Sequence, residues 1–127
     1  MRNNIYFYIH PKTVWDTIKY EIELSIINGT YGVGDRVPSI NEIHSTYNIS
    51  KNTAVKVLES LISDEILLKK RGIGYFVLPD AKEKLIKRRK LEFQNNLINI
   101  VEISKKIGYE KDELITLIST IINDKWG

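Results

Sequence analysis

Apolar residues from Thr13 to Asn28 recur at helical spacing, at Val14, Ile18, Ile22 and Ile26. The stripe stops at Asn28-Gly29, where glycine suits a left-handed cap, and Pro11 places the start after itself. The stretch Tyr31–Pro38, with Gly32, Gly34 and Asp35, reads as a loop. Ser39-Ile40-Asn41-Glu42 then fits a capping box, in which Ser39 and Glu42 satisfy each other's amides. Behind it Ile40, Ile43 and Tyr47 line one face of a short helix. Asn48 tolerates the left-handed conformation of a tight turn, Ile49 plugs that turn, and Ser50 caps a third helix. Ala54, Val57, Leu58, Leu61 and Ile62 form the stripe of that helix, which ends near Asp64.

A short capped helix, a turn with an apolar plug and a longer helix describe a helix-turn-helix, although any small bundle can contain two such helices. The next segment separates these readings. Ile66–Arg71 and Tyr75–Leu78 are two short strands joined through Gly72-Ile73-Gly74, with three cations, Lys69-Lys70-Arg71, at the tip. A basic hairpin directly after a helix-turn-helix is a wing.

Pro79 ends the hairpin, and Asp80-Ala81-Lys82-Glu83 opens a long helix. Its first turns carry Lys82, Lys84, Lys87, Arg88, Arg89 and Lys90, and the run Lys87–Lys90 reads as a solvated face, with nucleic-acid contact as the alternative. Phe93, Leu97, Ile100 and Ile107 then recur on one side, widened by Ile98, Val101 and Ile103, until Gly108 breaks the helix. A last helix, from about Glu110 to Asp124, carries Leu114, Ile115, Leu117, Ile118, Ile121 and Ile122. Two helices cannot bury that much aliphatic surface between them. At ~1.5–3 kcal/mol per buried side chain, a partner chain is the economical cover, with folding back onto the winged domain as the alternative. The interface expected on this basis comprises Phe93, Leu97, Ile100, Ile107, Leu114, Ile118 and Ile121.

The expected fold class is therefore mainly α with a small β-hairpin wing. The winged helix-turn-helix occupies residues 1–79 and a two-helix dimerisation tail residues 80–127. A chain ended after Pro79 should then remain a monomeric winged domain. Ile5–Ile9 either pairs as a strand or docks on the domain.

Composition narrows the chemistry. The 127 residues hold no cysteine, so there is no disulfide, thiolate zinc site or cysteine nucleophile. Only two histidines occur, His10 and His44, with no metal-ligand spacing. The glycine-rich stretches lack the Gly-Lys-Ser/Thr ending of a phosphate loop. An enzyme is not expected, nor a cofactor or metal. No apolar run is long enough for a signal peptide core or a membrane span, which fits a cytoplasmic protein. The formal net charge is +3, divided as +1 up to Pro79 and +2 beyond it. Cations that attract phosphate must therefore act by placement.

Three runs make the sequence familiar. Gly29-Thr-Tyr-Gly-Val-Gly-Asp-Arg-Val-Pro-Ser39, Ile49-Ser-Lys-Asn-Thr-Ala-Val-Lys-Val-Leu-Glu-Ser-Leu61 and Lys70-Arg-Gly-Ile-Gly-Tyr-Phe-Val77 resemble the GntR family of bacterial transcription regulators, in order and at family spacing. The short two-helix tail looks like the YtrA-type subfamily, since 48 residues after Pro79 cannot hold the larger metabolite-binding tails.

The resemblance implies a winged helix-turn-helix that reads operator DNA as a homodimer, with Arg36, the first turn of the recognition helix and the wing in contact with the duplex. On this reading Lys51, Asn52 and Thr53 meet base edges, while Arg36, Ser50 and Lys56 meet phosphates. Lys70, Arg71, Gly72 and Gly74 bring the wing to the backbone or a minor groove, and Ser39 and Asn41 complete the set. Lys51 stands where many relatives have Arg, and Val55 where several have Arg or Ser. Lysine lacks the forked donor that reads guanine. The expected function is a homodimeric repressor on a pseudo-palindromic operator, and the alternative is a winged domain that docks another protein. A small-molecule effector would have room only between the tail helices or at a hinge around Pro79–Lys84.

Overall fold

The computed structural model describes residues 13–127. The expectation for Ile5–Ile9 lies outside them. In chain order the elements are α1 (Val14–Ile27), α2 (Ile40–Tyr47), α3 (Lys51–Ser63), β1 (Leu67–Lys70), β2 (Gly74–Val77), α4 (Ala81–Lys106) and α5 (Lys111–Trp126). Two compact units result, one ending at Leu91 and the other spanning Glu92–Gly127. The sequence reading divides the chain at Pro79, twelve residues earlier.

The helix starts follow the local chemistry. Thr13 caps α1 by accepting the Asp16 amide at 3.0 Å. At α2 both halves of the capping box form: Ser39 Oγ accepts the Glu42 amide at 3.1 Å, and Glu42 accepts the Ser39 amide at 2.9 Å. Donation to the Glu42 carboxylate by the Ser39 backbone amide first, and then by the Ser39 hydroxyl, lowers the pKa of Glu42. Asn48 closes α2 in the left-handed conformation, φ 52°. Glu65 does the same after α3, φ 60°, at a boundary that the sequence marks with no glycine.

The core of the first unit gathers one face of each element. Ile18, Ile22 and Ile26 of α1 meet Ile43 of α2, Val57, Leu58 and Leu61 of α3, and Tyr75 and Val77 of the wing. Ala81 and Leu85 of α4 are fully buried with them. The first turns of α4 therefore belong to this core, and the segment expected to act as a hinge contains a buried alanine. The run Lys87–Lys90 is correspondingly not one solvated face: Arg88 pairs with Asp64, and Arg89 with the buried Glu23. Burial alone would raise the Asp64 carboxyl, but donation from Lys19 and Arg88 outweighs it and leaves its pKa lowered.

β1 and β2 pair antiparallel with Leu67 opposite Val77 and Lys70 opposite Gly74. Gly74 is thus the first residue of β2, and Arg71-Gly72-Ile73 makes the turn. The hairpin is extended by the backbone around Arg36, which bridges to Phe76. The Val37 amide donates to the Tyr75 carbonyl, and the Val77 amide to the Asp35 carbonyl, each at 3.0 Å.

The second unit lacks such a core. No residue of α5 is buried. Phe93, Leu97, Ile107 and Ile121 are exposed, and Ile100, Leu114 and Ile118 are half-buried. Expected interface residues thus present apolar surface to solvent in a single copy of the chain.

Tyr47 joins α2 to α1 by donating its hydroxyl to Glu21. Burial first, then that hydrogen bond, pushes the hydroxyl up to about 12 from its ordinary 10.0. A raised pKa means that folding favours the neutral phenol, so this contribution is complete below about pH 10 and is lost as pH rises through 12. Unfolding free energy measured by urea titration should fall across that window. Tyr47→Phe should flatten the fall; an unchanged slope would show that the phenol does not couple to folding.

Candidate nucleic-acid interface

The turn between α2 and α3 is braced from three sides. Asn48 supplies the left-handed bend, and Ile49 packs against the core. The ring of His44 hydrogen-bonds the Ile49 carbonyl through Nδ1. Sequence reasoning assigned His44 no role, because nothing local marks a side chain whose partner is a carbonyl across the turn.

This brace presents the head of α3. Ser50 caps it by accepting the Thr53 amide at 3.1 Å, and the Ser50 and Thr53 hydroxyls lie 2.9 Å apart. Those two hydroxyls are already engaged with each other. Lys51 and Asn52 are exposed beside them, and Lys56, one turn after Asn52, is exposed as well. Val55 is half-buried. The first turn thus displays an ammonium group and a carboxamide, groups able to reach bases, above amides that attract an anion.

A second group forms where the wing meets α2. Ser39, Asn41, Lys70, Gly72, Gly74 and Tyr75 line a cleft of about 380 Å³. Arg36 lies at its edge, its side chain exposed and 3.8 Å from Glu42. The aliphatic stem of Arg36 passes over Gly74, so closely that a Cβ there would meet Arg36 Cδ at 2.9 Å. Lys70 Nζ sits 4.6 Å from the centre of the Phe76 ring, which holds the ammonium close to the wing, and Arg71 is exposed at the tip. Five of the expected residues are therefore brought together in one cleft with Arg36 beside it. Ser50, Lys51, Asn52, Thr53 and Lys56 form a separate set on α3, and the seven expected interface residues lie in the second unit.

The Gly74 contact carries a prediction. Gly74→Ala forces Arg36 off the wing and adds a side chain at φ +149°. Stability should fall by ~1–3 kcal/mol, and retention on duplex DNA should weaken further than the stability loss explains. Undiminished DNA retention would remove Arg36 from the contact set.

Among the described residues no group of three or more His, Cys, Asp or Glu could hold a metal ion. No helix among them is long and apolar enough to cross a membrane.

Residues 15–77 match the family model of bacterial regulatory proteins, gntR family. The chain belongs to the GntR family. Members are DNA-binding transcription regulators, not enzymes. Over 73 residues this GntR chain is 31% identical to the "probable fructoselysine utilization operon transcriptional repressor" of Escherichia coli K12, a match covering 58% of this chain and 30% of that one. The chain thus spans about 30% of the length of that curated relative. It is 23% identical to the HTH-type transcriptional repressor YtrA of Bacillus subtilis over 114 residues, 90% of this chain and 88% of that one. Among solved structures, a GntR-family transcriptional regulator from Bacteroides thetaiotaomicron aligns with a TM-score of 0.69 at 27% identity, covering 89% of this GntR chain and 99% of its own. BusR of S. agalactiae, in complex with its busAB-promoter DNA, aligns with a TM-score of 0.55 at 27% identity, covering 91% and 58%.

Proposed function

We propose that this GntR chain is a cytoplasmic, homodimeric transcriptional repressor that binds a pseudo-palindromic operator and excludes polymerase from an overlapping promoter. The observation that carries the reading is the exposed Lys51-Asn52 pair on the capped first turn of α3, within the matched segment. In this reading Lys51, Asn52 and Thr53 face base edges, and Arg36, Ser50 and Lys56 hold phosphates. The cleft residues Ser39, Asn41, Lys70, Gly72 and Gly74, with Arg71, seat the wing on the backbone. Two copies related by a two-fold place their α3 helices in major grooves ~34 Å or a multiple apart. The repressors among the relatives and the DNA-bound BusR structure support the class. The exposed aliphatic surface of the second unit supports the dimer.

Selection of the full chain against a random-duplex pool at moderate salt tests the proposal. The expected result is an enriched two-fold motif. Lys51→Ala and Asn52→Ala should each cost ~1–3 kcal/mol on that motif and relax one base position. Equal loss on enriched and random duplex would remove them from reading. No retention at low salt would overturn the proposal in favour of a protein-docking winged domain, whose affinity would respond little to salt.

A further inference from the structure

The end of α3 remote from its first turn is held by charge. Asp64, the C-cap, accepts from Lys19 of α1 at 2.9 Å and from Arg88 of α4 at 3.1 Å. The same Lys19 ammonium donates to Ser60 Oγ at 2.8 Å. Arg88 also lies 4.0 Å from Glu23 of α1, and Arg89 pairs with the other oxygen of that carboxylate while stacking 4.7 Å over Tyr20. One turn earlier on the same face of α4, Lys84 reaches Glu65 at 3.2 Å.

Such a network is not the cheapest way to stabilise a domain. Glu23 is 2% exposed, and burying a carboxylate costs free energy that an aliphatic side chain of similar volume would not incur. What paired charges add is direction. Arg88 ties the first turns of α4 to Asp64 of α3 and Glu23 of α1, and Asp64 ties the end of α3 to Lys19 as well, so a change in the rotation of α4 or the tilt of α3 stretches these pairs.

Tilt matters because α3 is a lever. Its 13 residues span ~20 Å, so a rocking of ~10° about the Asp64 end moves the first turn by ~3.5 Å. A displacement of that size exceeds the whole range of a hydrogen bond. We infer that Arg88 is a positioning residue for DNA reading, locking the tilt of α3 to the setting of α4 so that Lys51 and Asn52 meet a duplex at one angle. The DNA consequence rests on the proposed function; the coupling between the two ends of α3 does not.

Two variants and two readouts test this in the full chain. Arg88→Met keeps a long apolar stem and removes the pairs, and Asp64→Asn keeps shape while removing the charge. In either variant the backbone amide shifts of Lys51–Thr53 should move relative to the unaltered chain, although the substitution lies at the far end of α3. Arg88→Lys, which can still pair with Asp64, should restore most of the original positions. Amides of the first turn that stay in place in both variants would overturn the coupling. On the enriched duplex, Arg88→Met should lose about ten-fold in discrimination against random DNA, the scale of one base contact. Affinity for random DNA should fall by less, because the proposed phosphate contacts of Arg36 and the wing lie off α3 and are not moved with it. Equal loss on both duplexes, or none on either, would overturn the positioning role. An unaltered chain that fails to discriminate at all would instead sink the regulator reading, and the amide shifts would still decide the coupling.

Discussion

A chain ended after Pro79 is expected to lose its cooperative unfolding transition, whereas one ended after Leu91 keeps it. The shorter chain lacks Ala81 and Leu85, both fully buried in the first unit. Removing one buried leucine side chain alone costs ~2–5 kcal/mol. The cut also removes Arg88 and Arg89, the charge partners of Glu23. Losses on this scale take much of the net stability of a typical domain, ~5–15 kcal/mol. Urea unfolding followed by far-ultraviolet circular dichroism distinguishes the two chains. A Pro79-ended chain with an undiminished midpoint would show that the start of α4 is dispensable to the winged domain.

Charge placed on the apolar surface of the second unit should have the next largest effect. Leu97 and Ile121 are 40% and 48% exposed, so Leu97→Glu with Ile121→Glu breaks no core packing within one copy. In the proposed dimer the same carboxylates would be buried against aliphatic surface and would drive the copies apart. Sedimentation should then report a monomer. Operator affinity should fall by ~10²–10⁴, because the second half-site is no longer held at high effective concentration. Binding to a single half-site should persist. A double variant that still sediments as a dimer would place the interface elsewhere, and loss of half-site binding as well would point to damage in the winged domain.

Lys51 and Asn52 need no distant partner to be placed on the first turn of α3, because the cap and turn signals around them are all local. Ser39 with Glu42, Asn48 in the left-handed region and Ser50 under Thr53 each act within three residues, and each is visible in the linear text. The helix periods, the wing and its basic tip are legible for the same reason. The head of α3 and the composition of the wing were therefore determined by the sequence itself.

Other features were decided only when the chain closed on itself. Arg88 and Arg89 stand in a run of four cations with no local sign of pairing. Their partners Asp64 and Glu23 lie 24 and 66 residues away. Arg36 lies against Gly74 from across the sheet, and the cleft residues come from a helix start and a hairpin tip. The left-handed Glu65 occupies a boundary that no glycine announces. Periodicity and capping report free energies between near neighbours, so they mark where elements begin and end. Membership of a core and the partner of a charge depend on which distant surfaces exclude water together, and only the tertiary structure fixes that.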